Sequence, residues 1–69
     1  MKDWQKVFWH DQPYKTELVK AALEESGLKP VVVNKQDSSY HNFGSFEIYV
    51  SPDEVLRAIK IINNDLNLK

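Results

Sequence analysis

The stretch that most constrains the fold is Ser45-Phe46-Glu47-Ile48-Tyr49-Val50, which runs straight into Ser51-Pro52-Asp53-Glu54. Phe46, Ile48 and Val50 alternate with Glu47 and Tyr49, and a period of two predicts a strand over 45–50 with one face on a core. A helix start follows at once. Ser51 and Glu54 have capping-box spacing, Pro52 suits the first helical position, and Asp53 and Glu54 favour the positive end of the helix dipole. Val55, Leu56, Ile59 and Ile62 then offer an apolar stripe for a helix over 52–63, which Asn63-Asn64-Asp65 ends. Residues 64–69 read as a flexible tail.

The first half is punctuated in the same way. Trp4 to His10 is rich in aromatic and β-branched residues and predicts a strand over 4–10. Asp11-Gln12-Pro13 opens a helix over 12–26, with Asp11 or Gln12 as cap and Pro13 in the first turn. Leu18, Val19, Ala22 and Leu23 recur at helical spacing, with Glu17, Lys20, Glu24 and Glu25 on the outer face. Gly27 can take the left-handed conformation that closes such a helix, and Leu28 is placed for the apolar contact that accompanies the cap. Pro30 to Asn34 is a short β-branched run after a proline, which predicts a strand over 30–34.

The order β-α-β-β-α, within 69 residues, implies a single α+β domain. It resembles a ferredoxin-like sandwich without its last strand. On that pattern the first two strands run parallel, the third lies between them in a three-stranded mixed sheet, and both helices cover one face. The other face is left uncovered. Simple alternation along the first strand sets Trp4, Lys6, Phe8 and His10 opposite Gln5, Val7 and Trp9. Trp4, Phe8, Val32 and Tyr49 are the candidate residues for a homodimer interface on the uncovered face; in the alternative they extend a small core.

The residues at 11–28, DQPYKTELVKAALEESGL, at 31–40, VVVNKQDSSY, and at 46–58, FEIYVSPDEVLRA, resemble the bacterial signal-transducing proteins of unknown function that are likened to the PII (GlnB) nitrogen regulators. The resemblance spans nearly the whole chain. It implies a regulatory domain and no catalytic residue. The chain has no room for the effector loop and final strand of a full PII protein, so nucleotide and 2-oxoglutarate binding do not carry over.

Parallel outer strands would gather polar residues at one end of the sheet. His10, Asp11, Lys15, Asn34, Gln36, Asp37, Ser38, Ser39, Tyr40 and His41 form this candidate ligand-binding pole. A small anion or a partner carboxylate would sit at the start of the first helix, with Lys15 or Lys35 and Asn34. The competing reading is structural: Asp37-Ser38-Ser39 forms a good turn and Asn34 caps backbone groups.

Composition and motif content exclude several classes. A formal net charge of −1 with scattered lysines leaves no basic groove, so no nucleic acid partner is expected even for an aromatic sheet face. The absence of cysteine removes disulfides and thiolate metal sites, and the natural setting is a reducing cytoplasm. No apolar run is long enough for a membrane span or a signal peptide. His10, Asp11 and His41 carry no metal motif, and two glycines cannot build a phosphate-cradling loop. The expectation is a noncatalytic regulatory or interaction domain without cofactors, acting through a small ligand or a protein partner. The alternatives are a monomeric small-anion-binding accessory domain and a metal-dependent enzyme at the His10/His41 pole.

Overall fold

The computed structural model describes residues 3–36 and 44–66. Strand β1 (Gln5–His10) leads into helix α1 (Pro13–Glu25), which is followed by β2 (Val31–Gln36) and β3 (Gly44–Val50). A 3₁₀ turn (Pro52–Glu54) opens helix α2 (Val55–Ile61), and a π-helical turn (Ile62–Leu66) extends it. The helical course therefore includes residues 64–66, where a flexible tail was expected, and Asn63-Asn64-Asp65 do not end it.

The sheet order is β1-β3-β2, and β3 is antiparallel to both neighbours. The expected mixed sheet is thus corrected: β1 and β2 point the same way, but neither pairs with the other. The crossover through α1 leaves a gap one strand wide, and β3 fills it in the opposite direction.

Ile48 and Val50, two apart on β3 and hence on one face, are fully buried in a single cluster with Val19, Leu23, Leu28 and Ala58. α1 and α2 both supply that cluster, so both helices lie over the same face of the sheet. Two predicted helix stripes are corrected in part: Val19, Leu23, Val55 and Ile62 face the core as expected, and Leu18, Leu56 and Ile59 do not. α1 buries Thr16, Val19 and Leu23 and leaves Leu18 exposed. α2 buries Ala58, flanked by Val55, Ile61 and Ile62, while Leu56 is 83% exposed and Ile59 is 40% exposed.

The termination of α1 follows its sequence closely. Gly27 has φ +91°, its N–H donates to Glu24 O at 3.0 Å, and the Leu28 N–H donates to Leu23 O at 3.0 Å. This is the Schellman arrangement, with the buried pair Leu23 and Leu28 as its apolar contact. The start of α2 departs from expectation, because no capping box forms. The Ser51 hydroxyl donates to Asp53 Oδ1 at 2.6 Å, which holds that carboxyl below its ordinary range, and Glu54 Oε1 accepts the backbone N–H of Lys29 at 3.3 Å. Arg57 Nη2 donates to Ser26 O at 2.8 Å. Glu54 and Arg57 therefore tie α2 to the end of α1 and the segment after it.

Candidate functional site

At the polar pole, His10 and Asn34 both pair with Phe46, so they flank it on the helix-covered face, one on each outer strand. The His10 ring lies parallel to that of Phe8, with centroids 6.3 Å apart. His10 Nδ1 is 3.1 Å from the Gln12 N–H nitrogen and 3.0 Å from Asp11 Oδ1. Unprotonated, that nitrogen accepts from Gln12; protonated, it donates to Asp11. Neither Asp11 nor Gln12 caps α1 through its side chain, which corrects that expectation. Lys15 is half-buried in the first turn of α1, Asn34 is exposed on β2, and Gln36 pairs with Gly44. Asp37, Ser38, Ser39, Tyr40 and His41 lie outside the described residues. The structure thus joins His10 to Asp11 and sets Asn34 across β3 from them. Among the described residues no three His, Asp or Glu side chains are grouped to hold a metal ion.

The opposite face of the sheet is built differently. A bulge in β1 between Lys6 and Phe8 changes the parity of that strand. Lys6 pairs with Tyr49 and Trp9 with Glu47, whereas Val7 and Phe8 both pack against the core. Phe8 and Val32 are therefore corrected from the uncovered face to the core side, while Tyr49 stays on the open face. Trp4 is half-buried ahead of β1. The large aromatic presented on the open face is Trp9, 58% exposed, which simple alternation had placed on the other side of β1 from Lys6.

Glu47 sits at the centre of this open face, on the middle strand, between Trp9 and Val33. Although neither α1 nor α2 covers it, it is 8% exposed. Lys6 Nζ lies 3.4 Å from Oε2, Lys35 Nζ lies 3.8 Å from Oε1, and the Tyr49 hydroxyl donates to Oε1 at 2.9 Å. The two lysines come from opposite outer strands, and their ammonium groups reach the carboxylate from either side. The Tyr49 hydrogen bond is the largest influence on Glu47 and, with Lys35 and Lys6, outweighs burial to hold its carboxyl below the ordinary value. The same bond, with burial and the adjacent negative charge, pushes the Tyr49 phenol up. The sequence placed Glu47 and Tyr49 together on the outer face of β3. The missed signal was a lysine on each flanking strand within reach of a carboxylate at the sheet centre.

The pH dependence follows from this geometry. Because the folded pKa of Glu47 lies below 4.5, its stabilisation is complete above the unfolded value and is lost as pH falls through the folded one. Urea unfolding of wild type and Glu47→Gln should show an advantage for wild type at pH 7 that shrinks once the pH drops below about 4.5. A difference that stays constant with pH would remove the ionised carboxylate from the account.

Comparison with protein-family models, with curated proteins and with solved structures finds no match.

Proposed function

We propose that the chain is a noncatalytic interaction domain of regulatory type that works through the open face of its sheet and associates there with a second copy. The observation that carries this reading is the pairing of exposed Trp9 with a buried, charge-clamped Glu47 on a face that neither helix covers. Trp9, Tyr49, Val31 and Val33 offer aromatic and β-branched surface, and Lys6, Lys35 and Glu47 offer both signs of charge. A surface carrying both signs can complement itself across a two-fold axis. Glu47 is also saturated with partners and more acidic than usual, which suits a fixed structural charge better than a proton carrier poised near neutral pH.

This reading keeps the finer fold assignment, a ferredoxin-like sandwich without its last strand, and the kinship with the signal-transducing family suggested at 11–28, 31–40 and 46–58. Sedimentation velocity over a concentration series tests it. Wild type should show a reversible dimer, and Trp9→Ala should weaken the association at least about tenfold, as for a central aromatic anchor. A wild type that stays monomeric to millimolar concentration would leave the second-copy reading without support. The accessory-domain alternative, with an anion at the His10–Asp11 pole, would then take its place.

A further inference from the structure

At the other end of α1, about 20 Å from the polar pole for a helix of 13 residues, the structure holds a cavity of about 390 Å³. Its lining is Ser26 from the α1 terminus and Arg57, Lys60, Ile61 and Asn64 from the α2 course. The four residues on the α2 side follow the spacing i, i+3, i+4 and i+7, which sets them on one helix face. Asn64 stands in the π-helical turn that extends α2.

Neither Arg57 nor Lys60 has a carboxylate within ion-pair distance among the side chains of residues 3–35 and 45–64. Glu54, three residues before Arg57, is engaged with the Lys29 N–H. The α1 terminus does not oppose an anion as strongly as a bare helix end would. The carbonyls of Ala22, Leu23 and Glu24 accept from Ser26, Leu28 and Gly27, and Arg57 occupies Ser26 O with a single Nη2 bond. The remaining guanidinium donors are left for another acceptor.

We propose that this cleft binds the phosphate group of a small phosphorylated molecule. Two cations match the charge of a phosphate monoester near neutral pH, and the Ser26 hydroxyl and Asn64 amide add neutral donors to its oxygens. A carboxylate would leave part of that charge and donor set unused. The volume exceeds a bare phosphate and falls within the range of small-molecule sites, so the organic part has room beside Ile61. The proposal does not depend on the open face of the sheet.

The test is an amide-resolved NMR titration of the full chain with inorganic phosphate, and in parallel with acetate at matched ionic strength. Phosphate should give saturable shifts centred on Ser26, Arg57, Lys60 and Asn64, at lower concentration than acetate. Lys60→Gln, at an exposed position, should weaken phosphate binding by roughly tenfold. Lys20→Gln, which removes the same charge from the outer face of α1, should leave it unchanged. Asn64→Asp, which sets a carboxylate on the rim, should abolish binding and serves as a second variant. Shifts that never saturate, acetate binding as tightly as phosphate, or equal affinity in wild type and Lys60→Gln would each overturn the assignment.

Discussion

Leu23→Ala is expected to cost the fold about 3 kcal/mol. Leu23 is fully buried, stands at the last turn of α1, and meets both the sheet residues Ile48 and Val50 and its own capping partner Leu28 in one cluster. Its removal opens a cavity in the only core that the described residues form and loosens the apolar contact of the Schellman cap. A domain of this size has a total stability on the order of 5 kcal/mol, so the variant should populate unfolded chain measurably at room temperature. The melting temperature should fall by roughly 15 °C. Urea unfolding monitored by tryptophan fluorescence would measure the change. A loss below about 1 kcal/mol would mean that α1 is not seated through Leu23.

The second large effect is expected at Gly27, where Val should cost about 2 kcal/mol for a purely local reason. An added Cβ there meets nothing within 4 Å, so space is not at issue. The cost lies in φ +91°, which a β-branched side chain cannot adopt without strain. Gly27→Asn should be milder, because Asn tolerates left-handed backbone better. The same urea series measures both. Equal losses for Val and Asn would point away from backbone conformation as the cause.

These two residues also mark where the sequence was legible. Gly27 and Leu28 announce their cap by residue type alone, because few residues accept that backbone and the apolar partner sits at a fixed offset. The strands around Trp9, Val32 and Ile48 were legible from β-branched and alternating residues. The helix faces were less so. Leu18 and Leu56 fit an apolar stripe by spacing yet stay exposed, and Thr16 and Ala58 join Val19 and Leu23 on the inward side. Thr16 can be buried because its hydroxyl donates to Gln12 O at 3.4 Å, and Ala58 is small enough to allow close packing over Ile48 and Val50. Neither fact is encoded in periodicity. The candidate site was half visible for a related reason: Glu47 and Tyr49 were seen on one face of β3, but the lysines that clamp the carboxylate depend on the register of two other strands. A single extra residue in β1 sets one of those registers, and alternation read along the sequence cannot detect it.

That extra residue also makes the two margins of the sheet unequal. An unpaired strand margin is a template on which another chain can add a strand, and proteins commonly guard it with irregular backbone or charge. β1 carries the bulge at Lys6 to Phe8, which interrupts the even spacing of donors and acceptors that strand addition requires. β2 pairs with β3 without interruption from Val31 to Gln36 and opens with three consecutive valines. If copies of this chain, or an extended peptide, ever zip onto the sheet edge-on, the growth should begin at β2 and stop at β1. Such an assembly would be capped at one end by its own geometry.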